Sequence, residues 1–381
     1  GDMYAAALGA GGSSSIGIGV NLQAVTQQFS QGNITTTANG MDLAINGQGF
    51  FEVSSGGQTL YSRNGQFQVN KDGFIVNNQS GQLLGYPADA QGVIQPGLAV
   101  PLQLPTAGID PAPTTEITME MNLDSRSAVT LPATTPMVNF SDATTYNNAT
   151  SLTVYDDLGQ DVALTYYFQK TATSTWNVYV TANGTSVAVD GAGDPAPLTT
   201  MVFPANGGSP TAPAGAVTLD VPASTNAAGA VTLPIPGIQL DLSGASQFGA
   251  GFGVTNLTQD GYAPGQLSGL SIEKDGIVMA TYSNGQSKPA GQIELSTFRN
   301  PQGLKPLGGN LWARTYESGD PIVGTPGQGN LGVLQSGALE ESNVDLTAEL
   351  VNMITAQRTY QANAQTIKTQ DQVLQTLVNL R

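Results

Sequence analysis

Over most of its length the chain alternates apolar and polar residues in short runs, the two-residue period of strands with one buried face. "ITMEMNL", "SLTVYDDLGQDVALTYYFQK" and "TWNVYVTAN" carry the pattern most clearly. So do "MDLAINGQGFFEV" and "LYSRNGQFQVNKDGFIVNN", where Asn46-Gly47, Asn64-Gly65 and Asp72-Gly73 interrupt the alternation. Asn-Gly and Asp-Gly supply the positive φ angles of tight hairpins, so each predicts a turn between strands. Asp275-Gly276 and Asn284-Gly285 repeat the signal in "LSGLSIEKDGIVMATYSNGQSKPAGQIELSTF". The predicted fold class is mainly β: two β-domains, the outer inserted in the inner, plus one long C-terminal α-helix.

The order of these segments predicts a domain plan. Residues 1–38 hold a Gly/Ser linker, "GAGGSSSIGIG", and then the extended run "VNLQAVTQQFSQGNITTT". A β-domain begins at Asn39, and the Pro-rich "TAGIDPAPTTE" marks a crossing into a second one. From about residue 251 the style of the first domain returns. The plan is therefore 39–105 with 251–330 as one discontinuous domain, 106–250 inserted in it, and 331–381 as connector and helix. Insertions are tolerated at loop tips whose ends lie close together.

The tail "NVDLTAELVNMITAQRTYQANAQTIKTQDQVLQTLVNLR" breaks the strand pattern. Asp345 or Asn343 is placed to cap a helix, and Glu349 adds negative charge to its first turn. Leu346, Leu350, Met353, Gln357, Tyr360, Ala364, Ile367, Asp371, Leu374 and Val378 follow one another in steps of four and three, a heptad seam. At 1.5 Å per residue this helix would extend about 55 Å. An apolar stripe of that length needs a partner. The β-domains close on their own hairpins, and no other segment shows a matching stripe. The expectation is a homo-oligomer built on terminal helices, its interface formed by Leu346, Leu350, Met353, Tyr360, Ile367, Leu374 and Val378. A brace lying along its own β-domain is the competing arrangement. Arg358 and Tyr360 read equally well as interface residues and as a solvated Arg beside a core Tyr.

Composition narrows the chemistry. The 381 residues include no Cys and no His, which removes thiol and imidazole catalysis, His-ligated metal and disulfides. The net charge of −16 argues against nucleic acid and anionic membrane surfaces, and no apolar run is long enough for a transmembrane helix. The start, Gly1-Asp2-Met3-Tyr4, is not a signal peptide. Carboxylate pairs at Asp156-Asp157 with Asp161, and at Glu340-Glu341, are the only catalytic candidates. The first reads as a hairpin turn and the second as a helix approach, so no enzyme is expected. "DGAGDPAP" and "NKDGF" lack calcium-loop spacing, and no cofactor or metal is expected. Trp176 and Trp312 read as core residues.

Three stretches point to a family. "GALEESNVDLTAELVNMITAQRTYQANAQTIKTQDQVLQTLVNLR", "GMDLAINGQGFF" followed by "YSRNGQF", and "DGYAPGQL" resemble the bacterial flagellar rod/hook axial proteins. The inserted domain and the "LVNLR" ending resemble the hook members more than a distal rod-type subunit. A surface adhesin, acidic and Thr-rich, would bring a signal peptide and no heptad tail. The resemblance implies a structural subunit polymerising into a short, curved, hollow tube outside the cell. That tube is a universal joint passing motor torque from rod to filament, and an export channel. It implies contacts with copies of itself and with rod, hook-capping and hook–filament junction proteins, and none with nucleic acid or a membrane interior. Terminal helices would line the channel, with the discontinuous domain as middle layer and the inserted domain outermost. Family members begin with an N-terminal helix that pairs with the C-terminal one; "GDMYAAALGAGG" is not such a helix. Export without a cleaved signal peptide is the implied route.

Overall fold

The computed structural model describes residues 26–379, leaving aside the side chains of Leu374 and residues 377–379. The chain divides into two compact units. Unit 1 takes the residues up to Leu104, then Leu270–Met279 and everything from Pro289 onward; unit 2 takes Pro105–Gly269 and Ala280–Lys288. The predicted linker in the first 25 residues lies outside the described residues.

Unit 2 is built from two sheets around one core. In the first, Asn148–Tyr155, Asp161–Ala172 and Thr175–Ala182 lie antiparallel, and Thr199–Val202 pairs with the last of them. In the second, the strands run in the order Val217–Val221, Ile235–Asp241, Glu116–Asn122, Gly253–Gln259. Inward positions alternate as the period predicts: Val162, Leu164, Tyr166 and Phe168 are buried from the first sheet, and Ile117, Met119 and Met121 from the second. Trp176 is fully buried, and its indole N–H donates to Gln247 Oε1 at 2.7 Å. The unit runs on to residue 269 rather than ending at 250, because Gly253–Gln259 pairs with Glu116–Asn122. Local alternation cannot reveal such a pairing between strands more than a hundred residues apart. Nor does it reveal that Ile235–Asp241 lies parallel to Glu116–Asn122, the rest of this sheet being antiparallel.

Unit 1 centres on the antiparallel strands Phe50–Ser55, Gln58–Ser62 and Gln82–Pro87. One face buries Phe51, Val53, Leu83, Ile293 and Leu295. The other buries Phe50, Tyr61, Phe298 and Leu304, with Phe29 and Trp312 packed against them. Two further ladders join distant parts of the chain: Leu43–Asn46 with Val333–Ser336, and Ile34–Thr36 with Ala338–Glu340.

Asp72-Gly73, Asp275-Gly276 and Asn284-Gly285 lie between paired strands, as predicted, and the other two signals do not. Neither Asn46-Gly47 nor Asn64-Gly65 joins a strand pair: Leu43–Asn46 pairs with Val333–Ser336, and Gln58–Ser62 pairs with Phe50–Ser55. Gly65 is needed for space, since a Cβ there would lie 1.7 Å from the Leu43 carbonyl oxygen. A recurring turn device is an Asn or Asp at the first turn position and a positive-φ residue at the fourth. Asn70 Oδ1 accepts the N–H groups of Asp72 and Phe74, with Gly73 at φ +84°. Asp89, Asp156 and Asp190 repeat this, with Gly92, Gly159 and Gly193 in the fourth place. The side chain thus does the work of a backbone turn, and glycine supplies the left-handed step.

Candidate assembly site

Both described ends of the chain leave unit 1 at one place. Residues 26–33, expected to be an extended strand, form no ladder; they run as a strap held by side chains. Gln27 exchanges bonds with Gln302 and donates to the Leu304 carbonyl, and the Trp312 indole N–H donates to Gln27 Oε1 at 2.8 Å. Phe29 packs edge-on to Phe50, ring centres 5.7 Å apart. Such glutamine-to-backbone ties leave no periodicity in sequence, which is why the strap was not legible there.

Arg63 fixes this region to the outgoing chain. Its guanidinium donates to the carbonyls of Gly47 and Gly49, each at 2.8 Å, and pairs with Glu340 at 2.7 Å. Glu340 Oε1 in turn accepts the Gly32 N–H at 2.9 Å. The planar fork of arginine lets one side chain hold a carboxylate and several carbonyls together. Asn343 adds a second tie, donating to the carbonyls of Gln28 and Ser30. Around these contacts lies an open cavity of about 900 Å³ whose lining includes Gln31, Phe50, Arg63, Trp312, Glu340 and Asn343. The "YSRNGQF" and "GALEES" stretches therefore meet in space.

The helix α1, Leu346–Asn379, starts immediately beyond. Asp345 is its cap: Oδ1 accepts the Thr347 N–H at 2.8 Å and that of Ala348 at 3.2 Å. Of the expected interface residues, Leu346, Leu350, Met353, Tyr360 and Ile367 are all exposed, Leu346 by 81% and Tyr360 by 77%. The side chains of Leu374 and Val378 lie outside the description. Val351, Ile354 and Val373 add further exposed apolar surface. Among the described residues of α1 only Ala364 is partly covered, so the helix is not a brace against its own unit.

The catalytic candidates are structural. Asp156 is buried and accepts three backbone N–H groups, from Leu158, Gln160 and Leu233. Asp161 accepts from Asn226, and Glu340 is engaged by Arg63.

This is the architecture of an axial structural protein, two β units followed by an exposed terminal helix, rather than of an enzyme. Three family profiles cover the chain in pieces. Residues 44–157 match the flagellar hook protein FlgE/F/G D1 domain, 122–262 the flagellar basal body protein FlaE D2 domain, and 335–380 the flagellar basal body rod FlgEFG protein C-terminal region. Among curated proteins, the flagellar hook protein FlgE of Escherichia coli K12 is 42% identical over 380 residues, covering 97% of this chain and 89% of that one. FlgE of Salmonella typhimurium is 42% identical with the same shares, and that of Rhizobium meliloti 34% identical over 92% and 82%. The crystal structure of Helicobacter pylori flagellar hook protein FlgE2 has the same fold, with a TM-score of 0.56 over 81% of this chain and all of that one, at 14% identity. The chain belongs to the flagellar hook protein family.

Proposed function

We propose that this chain is a structural subunit of the flagellar hook, polymerising with copies of itself into a curved hollow tube. In that role it joins rod to filament as a universal joint, passes motor torque and encloses the export channel. It is exported without a cleaved signal peptide and meets rod, hook-capping and hook–filament junction proteins at the tube's ends. The observation that carries this reading is the exposed apolar stripe of α1, rooted in unit 1 through Asp345, Asn343 and Glu340. A stripe from Leu346 to Ile367 left exposed by the described residues is supplied with cover by equivalent helices in a polymer.

The Arg63 clamp suits torque transfer, because it ties the root of the helix to a β unit through several directed bonds. The polar face of α1 suits a channel wall. Thr355, Thr359, Thr366, Thr369 and Thr376 each turn their hydroxyl back to the carbonyl four residues earlier. Those groups satisfy one another within the helix and offer little to a passing chain. Unit 2 has Gly- and Thr-rich connections whose contacts can rearrange at low cost.

Immunogold electron microscopy tests this reading, with antibody against residues 106–250 on cells that make the protein. Gold on a short curved segment between cell body and filament is expected. Gold spread over the cell surface, or absent from that segment, overturns it.

A further inference from the structure

Unit 1 holds two buried carboxylates that neither its fold nor assembly explains. Glu52 lies within Phe50–Ser55, and Glu294 precedes Leu295–Thr297; they are 5% and 3% exposed. The antiparallel register sets Phe50 opposite Ser296 and Phe51 opposite Leu295; the ladder ends there, and Glu52 and Glu294 are the next residues on the two strands. The Glu294 charge acts on Glu52, and burial strengthens such repulsion between like charges.

The surroundings supply no counter-charge. On the neighbouring strand Tyr61 stands opposite Glu52. From Gln82–Pro87, the Tyr86 hydroxyl donates to Glu294 Oε1 at 2.8 Å. Ser296 is the hydroxyl beside Glu52. Arg314 and Asp320 act on Tyr61, and they are exposed and ion-paired with each other. Glu52 Oε1 and Ser296 Oγ are buried without a hydrogen-bond partner. Among the described residues no third carboxylate joins the pair to make a metal-binding group.

We infer that Glu52 and Glu294 share one proton in the folded protein, forming a buried carboxyl–carboxylate site whose ligand is the proton itself. Two interacting carboxyls in so dry a place disfavour ionising both. A proton on Glu52 turns a buried acceptor into a donor, with Glu294 and Ser296 as neighbouring acceptors.

Burial first, and then the Glu294 charge, push the Glu52 carboxyl up to about 7, against the Ser296 hydroxyl, which lowers it. Burial also raises Glu294, against the Tyr86 bond that lowers it. An acid whose folded value lies above its unfolded one contributes stability that is complete at low pH and disappears as pH rises through the folded value. For Glu52 that window runs from about 4.5 to about 7, so unit 1 holds together more firmly at pH 5 than at pH 8.

The test uses the full chain as a monomer and does not depend on its assembly. The infrared spectrum at pH 6 should contain a protonated-carboxyl C=O band that Glu52→Gln removes and that wild type loses by pH 9. Protection of the Phe50–Ser55 amides against hydrogen exchange, corrected for intrinsic rates, should fall by roughly tenfold or more from pH 5 to pH 8 in wild type and stay level in Glu52→Gln. Glu294→Gln removes the neighbouring charge, so the band should persist and be lost at lower pH; it also serves where Glu52→Gln does not fold. No protonated-carboxyl band in wild type at pH 6 overturns the inference. So does added Mg2+ or Ca2+ abolishing the band while raising protection, which would make the ligand a metal ion.

Discussion

Arg63 and Glu340 stand 277 positions apart in the chain and pair at 2.7 Å, their side chains 20% and 11% exposed. The same guanidinium holds the Gly47 and Gly49 carbonyls. Arg63→Ala therefore leaves the shielded Glu340 carboxylate with the Gly32 N–H but no counter-charge, and strips the guanidinium from the Gly47 and Gly49 carbonyls. The expected loss is about 3 kcal/mol, read by thermal unfolding, with faster hydrogen exchange in residues 26–33. Arg63→Lys should fall between the two, since an ammonium keeps the charge and loses the fork.

Gly32 sits where the strap passes the outgoing chain. A Cβ there would lie 2.0 Å from the Glu341 carbonyl oxygen, which is backbone and cannot swing aside. Gly32→Ala should cost about 1–3 kcal/mol and loosen the strap, measured as above. Gly97→Ala is the control: no atom stands within 4 Å of its added carbon, so the change should stay within about 0.5 kcal/mol.

Asp345 caps α1 through two backbone N–H groups. Asp345→Ala should cost about 1 kcal/mol and fray the first turn, seen as faster exchange at Leu346–Glu349, with both β units unchanged.

In the free subunit the amides of α1 should exchange far faster than those of Asp161–Ala172. Among the described residues the helix has an exposed stripe and no tertiary cover to stabilise it. Strong protection in a proven monomer would contradict this.

These cases show what the sequence made legible. Alternation predicted Glu116–Asn122, Asn148–Tyr155, Asp161–Ala172 and Thr175–Ala182, and the cap at Asp345 and the helix α1 were readable because both are local. Gly253–Gln259 was grouped with the wrong segment because its partner, Glu116–Asn122, is chosen by long-range packing. Asn64-Gly65 carried a hairpin signal, yet Gly65 is small to clear the Leu43 carbonyl rather than to turn a hairpin. Arg63 and Glu340 each sit in a stretch that carried the family resemblance, but nothing local says that they meet. Glu52 and Glu294 gave no signal at all, since an acidic residue in an alternating strand reads as solvent-facing.

The most direct measurement replaces the chain, in cells that make it, with Leu350→Asp and with Ile367→Asp, and examines isolated flagellar bases by electron microscopy. Each change puts a charge into the seam while leaving both β units untouched. The account predicts folded, exported subunits and no curved segment beyond the rod. Hooks of normal length and curvature in either variant would contradict assembly through α1.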